Sequence, residues 1–497
     1  MQAYRELERR FAALSHLHGA LAVLHWDSAT MMPPGGAAAR NEQIATLAEI
    51  AHRQLTDPAL ADLLAAAADP APADAWQRAN LGEMHRRWRH APALAADLVV
   101  RRSRAASSCE LAWREARGDD DFARLVPLLE EVLAATREVA AAKAAALDLS
   151  PYDALLDGYD PGMRAREVDL VFAELEAFLP DFVQRVVERQ KTMPAPVRPA
   201  GRFDEDRQRR LVERLVAILG FDRDHGRLDT SHHPFTGGVP DDVRITTRYS
   251  ETDFTAAIMA AVHETGHALY ERGLPPAWRH QPVGEARGMT LHESQSLLFE
   301  MHACRSPGFV AFLAPLAREA LADDGPAIET ENLKRLYLWV EPGLIRVDAD
   351  EVTYPLHVIQ RYRLERALLA GDLAVRDLPG AWNDGLQRLL AVRAPDDRDG
   401  CMQDIHWYGG DFGYFPTYTL GALAAAQLFA AAREQETAIP SAIALGDFAP
   451  LRRWLAERVH GKGSLLDTQA LLREATGAPL GTDAFKRHLG ARYLDGA

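Results

Sequence analysis

Along most of this chain apolar residues recur every three or four positions, the spacing of one face of an α-helix. Leu211, Leu215, Ile218 and Leu219 show it in compact form and stop at Gly220, a residue suited to a helix C-terminus. The same periodicity predicts helices over residues 2–24, 41–55, 75–116, 121–147 and 166–191. Proline and glycine punctuate them in MPPGG (32–36), DPAP (69–72) and LSPYD (149–153), and MPAPVRPAG (193–201) is the strongest break. Strand-like alternation is scarce, and DVRITTRY (242–249), following TGGVPDD, is its clearest instance. The pattern predicts a mainly α protein with a small β element. At 497 residues it divides into two lobes, 1–200 and 201–497.

Composition narrows the class. Hydrophobic residues make up 47%, ordinary for a globular protein, and the net charge is −15, unsuited to a nucleic-acid partner. The basic runs RRWRH (86–90) and RRSR (101–104) are short and read as solvated helix faces. Three cysteines, Cys109, Cys304 and Cys401, are too few and too scattered for a disulfide framework or a thiolate metal cluster. The charged start MQAYRELERRFAALSHLHG lacks the apolar core of a signal peptide. The most apolar run, residues 420–432, is too short to cross a bilayer. A cytoplasmic protein with no membrane or nucleic-acid partner is expected.

The chemistry is concentrated in MAAVHETGHALYERG (259–273). His263 and His267 are four apart, so one helical face presents both imidazoles to a single ion. Glu264 is rotated roughly 100° from His263, which suits a general base acting on metal-activated water better than a ligand. Ser250 or Thr252 is positioned to cap this helix, and Gly273 with Pro275 and Pro276 ends it. Gly266 costs such a helix about 1 kcal/mol, a cost that makes sense where another backbone or a substrate approaches closely. A catalytic zinc site needs a third ligand. Glu293, 26 residues after His267 in LHESQSLLFEM (291–301), supplies it from a second helical segment.

HETGH followed by HESQS resembles the carboxypeptidase Taq family, helical metallopeptidases related to the angiotensin-converting-enzyme and neurolysin group. Further segments match in the family's order: HWDSATMMPPGGAAAR (25–40), HPF (233–235), DVRIT (242–246), IRVDADEVTYPLHVIQRY (345–362), GCMQDIHW (400–407) and GYFPTYTLG (413–421). The resemblance implies a two-lobed helical fold with a deep central cleft and a small β-sheet beside the active site. It also implies zinc, with cobalt possible, at one ion per chain, and a homodimer.

Arg346, Asp350, Tyr354, His357 and Arg361 step by three or four residues, predicting one continuous helical face kinked at Pro355. With the family match this face is expected to line the cleft. A carboxypeptidase must hold a free terminal carboxylate, and the guanidinium fork does so bidentately. Arg346 is the first candidate and Arg244 the second. Arg361 and Arg287 are alternatively structural ion-pair partners, and Asp350 a partner orienting a ligand histidine. By resemblance, His406 and Tyr414 are assigned to the oxyanion, Tyr418 to the oxyanion or the substrate, and His233 to substrate contact. The expected activity is metal-dependent release of single C-terminal residues from peptides with a free C-terminus. The alternatives are a dipeptidyl carboxypeptidase or oligopeptidase with the same metal site, and more distantly a non-catalytic helical binding protein.

Overall fold

The computed structural model describes residues 2–69 and 72–495, so Pro70 and Ala71 of the DPAP break lie outside the described residues. Among the described residues are twenty α-helices and one three-stranded sheet, the mainly helical architecture that the periodicity predicts. No helix among them is long and apolar enough to cross a membrane.

The first helix runs Gln2–Thr30, six residues beyond its predicted end. Trp26, 2% exposed, carries it onward by packing its ring 5.1 Å from that of Phe235. The predicted helix over 75–116 is two, Ala75–His90 and Ala96–Asp119. Pro92 breaks it, because proline donates no backbone hydrogen bond and disfavours helical geometry in the residue before it. Gly220 caps the Glu205–Leu219 helix with φ 100°, in the left-handed region where glycine is unstrained. MPAPVRPAG forms no regular structure, yet Asn332 fixes it, accepting from Val197 N (2.7 Å) and donating to Val197 O (2.8 Å).

Tyr4, Leu7, Phe11 and Leu14 pack with Leu60, Leu64 and Met84 into a small core of the first helices. A much larger core joins Leu125, Leu129 and Phe172 to Leu356, Tyr362, Trp382 and Phe415, so it contains side chains from both sides of residue 200. A third core surrounds the HETGH helix and its neighbours, including Ile258, Val262, Leu291, Leu298 and Phe309.

The sheet has the order β1 (Gly226–Thr230), β3 (Asp242–Thr247), β2 (Thr236–Val239); β3 is parallel to β1 and antiparallel to β2. Buried Val243 and Ile245 of β3 pack against Ala261 and Ala268, small side chains that seat the HETGH helix on the sheet. That helix spans Thr255–Gly273. Asp253, rather than Ser250 or Thr252, serves its first turn, accepting from Thr255 N at 2.8 Å. Ser250 and Thr252 instead bond each other in the preceding turn, two residues too early to reach the helix.

The Arg346–Arg361 stripe is not one helical face. Arg346 begins a single 3-10 turn (Arg346–Asp348), and the helix starts only at Tyr354. Pro355 lies in its first turn, where a missing N–H costs nothing, so it marks a helix start rather than a kink. Asp350 accepts from Val352 N and Thr353 N, both at 2.9 Å, so it organises that start and orients no histidine.

Candidate metal centre and active site

Two helices build the centre. HETGH lies on Thr255–Gly273; HESQS lies on Met289–Leu297, which continues into a π-helical turn, Leu298–Ala303. Their contacts pair His263 with Glu300 and Glu271 with His292, so the two run antiparallel. Gly266 makes the crossing possible. A β-carbon there would lie 2.5 Å from Gln295 O and 2.6 Å from Ser296 Cα, distances that only a bare backbone allows.

At this crossing Glu293 Oε2 lies 3.4 Å from His267 Nε2 and 3.8 Å from His263 Nε2. The three donors all fall within 4.8 Å of one another. A tetrahedral zinc ion with bonds of about 2.0–2.1 Å has ligand–ligand edges of about 3.3 Å, so the set fits a zinc-type ion. Donor chemistry agrees, since two imidazoles and one carboxylate are a catalytic zinc set. Both Nδ1 atoms are engaged elsewhere, leaving Nε2 to face inward. His263 Nδ1 meets Glu300 Oε2 at 2.9 Å, and Glu300 in turn pairs with Arg305 at 2.5 Å. His267 Nδ1 lies 2.6 Å from His292 Nδ1, and His292 Nε2 lies 2.9 Å from Glu271 Oε1.

The electrostatics are those of a buried cluster of opposed charges. Burial would lower His263, but Glu293, Glu300 and Glu264 outweigh it and raise the group to about 10. Burial, with His292 beside it, lowers His267 to about 4. Burial would raise Glu293, but the two imidazoles bring it down to about 2. Glu264 is held above the ordinary carboxyl range by burial, against the pull of His263 and a hydrogen bond from Thr236. Thr236 Oγ1 donates that bond to Glu264 Oε2 at 2.6 Å.

Beside the triad stands a wall of aromatic hydroxyls. His406 Nε2 is 3.2 Å from Tyr418 OH, and the Tyr414 ring lies 5.1 Å from Tyr418 and 5.6 Å from His406. Burial raises Tyr418 to about 12 and holds Tyr414 well above its ordinary value, with Glu293 adding to both, so both hydroxyls keep their protons. Behind them Asp404 accepts from two buried arginines. Arg346 Nη2 reaches Oδ1 at 2.8 Å and Arg361 Nε reaches Oδ2 at 2.5 Å. Arg346 also lies over the Tyr418 ring at 4.9 Å and bonds Tyr354 OH at 3.3 Å.

Arg244 is on β3 with its fork on Asp242 (2.9 and 2.6 Å), and His233 sits exposed between β1 and β2. Arg287 pairs with Glu83 at 2.6 Å and Arg361 with Asp404, the structural alternative read for both. Sequence reasoning missed Thr236, Glu271, His292, Glu300 and Asp404. His292 and Asp404 sat inside quoted motifs, but nothing in their spacing names a partner.

The pattern of the carboxypeptidase Taq (M32) metallopeptidases matches residues 6–493. Thermostable carboxypeptidase 1 of Thermus thermophilus is 41% identical, covering 98% of this chain and 97% of its own. Carboxypeptidase 1 of Bacillus subtilis is 35% identical over 97% and 96% of the two chains. Among solved structures, metallocarboxypeptidase 1 of Trypanosoma cruzi superposes with a TM-score of 0.97 at 40% identity, covering 100% of both chains. An M32 carboxypeptidase from Deinococcus radiodurans gives 0.94 at 36%, over 100% and 99%. With its His/His/Glu centre and this full-length agreement, the chain belongs to the carboxypeptidase Taq (M32) family of metallopeptidases and is a peptide hydrolase.

Proposed function

We propose that the protein is a zinc carboxypeptidase that removes single residues from peptides with a free C-terminus. The observation that carries this reading is the convergence of His263 Nε2, His267 Nε2 and Glu293 Oε2 beside a carboxylate, Glu264, held by Thr236. His263, His267 and Glu293 would hold the ion, which when bound would polarise the scissile carbonyl and acidify water. Glu264, kept more basic than a surface carboxylate by burial, takes the water proton and returns it to the leaving amine. Tyr414 and His406 donate to the oxyanion, with Tyr418 beside them.

Arg346 holds the terminal carboxylate. Two guanidiniums share the single charge of Asp404, so this buried group of three carries one net positive charge. Arg244 and His233 contact substrate further out, along the sheet. Residues 1–200 cover the cleft over the catalytic part, 201–497. The enzyme works in the cytoplasm as a homodimer, and cobalt serves as an alternative ion.

The test pairs one unmodified peptide with the same peptide amidated at its C-terminus. Stepwise release from the first alone supports a carboxypeptidase. Equal cleavage of both refutes the carboxylate clamp and leaves an oligopeptidase. Glu264→Gln should retain metal and lose turnover, and undiminished activity would remove Glu264 from its role.

A further inference from the structure

The two histidines of the centre are supported in different ways. Behind His263 stands a carboxylate, Glu300, itself paired with Arg305. Behind His267 stands a second imidazole, His292, and only behind that a carboxylate, Glu271. His292 belongs to the same helix as Glu293, and adjacent helical residues point about 100° apart. One motif therefore delivers Glu293 to the donor set and His292 to the far side of His267.

The hydrogen bonds admit one arrangement of protons once His267 Nε2 is a ligand. A ligating Nε2 is unprotonated, so Nδ1 of His267 carries the hydrogen and donates it. The atom 2.6 Å away is His292 Nδ1, which must then accept. Its own hydrogen lies on Nε2 and points at Glu271 Oε1, 2.9 Å distant. Every ring nitrogen in this chain then has a role, as ligand, donor or acceptor, which is what a buried polar chain requires. Tyr270 and His460 wall it in, with ring centroids 5.6 Å from His292 and 5.2 Å from Tyr270 respectively.

The geometry points to His292, backed by Glu271, as the positioning residue for His267, fixing its tautomer and ring orientation through a neutral imidazole. The neutral spacer has an electrostatic reason. Glu264, Glu293 and Glu300 already surround the site, and a fourth carboxylate bonded directly to His267 would crowd one more negative charge against them. An imidazole passes on the orienting effect of Glu271 and keeps its charge one ring away.

This inference rests on His267 being a metal ligand, and its test separates the two claims. Zinc affinity is measured by competition with a chromophoric chelator for the wild type, His292→Ala, His292→Asn and Glu271→Ala. The melting temperature of each metal-free protein and the visible spectrum of each cobalt-loaded protein are recorded alongside. Removing a partner of a ligand histidine weakens binding about 10–100-fold, and that loss is expected for His292→Ala with little change in metal-free melting. Asparagine places an amide oxygen near the position of Nδ1 and should restore affinity to within roughly threefold of wild type. Glu271→Ala, which leaves His267 and His292 in place, should show a smaller loss in the same direction and a shifted cobalt spectrum. Wild-type affinity in both alanine variants overturns the positioning role. So does an equal loss in the alanine and asparagine variants accompanied by lower metal-free melting. A wild-type protein that binds no zinc overturns the metal reading itself.

Discussion

Gly421 and Glu293 face each other across two packed helices so closely that a β-carbon on Gly421 would lie 2.7 Å from that of Glu293. The Pro416–Gln435 helix therefore presses on the backbone that presents Glu293, the proposed third ligand. Gly421→Ala must displace that helix or the ligand. Overpacking of this kind costs about 1–3 kcal/mol. The expected outcome is a lower melting temperature together with weaker zinc binding, read by calorimetry and chelator competition. Unchanged metal affinity would mean that Glu293 does not depend on this contact.

Thr236 offers a cleaner separation of roles. Thr236→Val keeps the shape and removes the hydroxyl that holds Glu264 at 2.6 Å. Loss of a hydrogen bond to a charged group costs about 1.5–3 kcal/mol, which converts to a roughly ten- to hundredfold fall in kcat. Metal content and KM should stay near wild type. A variant altered in KM alone would exclude this role for the threonine.

Arg346→Lys retains the charge near Asp404 but loses the planar fork. If the fork holds the terminal carboxylate, KM for a free-acid peptide rises roughly tenfold or more while kcat changes less. Steady-state kinetics on one short peptide decides it. A change confined to kcat would exclude Arg346 as the clamp.

Glu365 supplies a pH signature. It is fully buried, accepts from Tyr152 OH and Trp407 Nε1, and burial raises it to about 7 against those hydrogen bonds. Between the ordinary carboxyl value of 4.5 and about 7 the folded chain holds a proton that the unfolded chain has lost. Stability from this group is therefore present at low pH and lost as pH rises through that window, by up to roughly 3 kcal/mol. Glu365→Gln lacks the titration. Its melting temperature should gain on the wild type as pH goes from about 5 to about 8, and a constant gap between the two would contradict the argument.

The His/His/Glu cluster was legible because helical spacing and residue chemistry say the same thing at His263 and His267, with Glu264, the proposed base, between them. Gly266 was legible as a cost awaiting a cause, and the cause is the backbone at Gln295 and Ser296. Periodicity failed at Arg346 and Asp350, because a three-residue step looks the same in a loop as in a helix until Pro355 is read as a start. It failed again at Pro92, where two helices on one apolar pattern looked continuous. His292, Glu300 and Asp404 could not be paired from sequence, since their partners arrive through an antiparallel crossing and a distant loop rather than through neighbouring turns.

The large core that takes side chains from both sides of residue 200 bears on how the molecule moves. Swinging everything before the MPAPVRPAG segment as one rigid flap would tear Leu125 and Phe172 away from Leu356 and Tyr362. The first helices are the separable piece. They keep their own small core, and they meet the body through polar pairs (Asn80 with Gln281, Arg87 with Glu285, Glu83 with Arg287) and through aromatic packing of Trp26 on Phe235 and Trp76 on Trp278. Motion in the molecule is thus expected at that outer cluster before it is expected at the tightly packed crossing of the HETGH and HESQS helices.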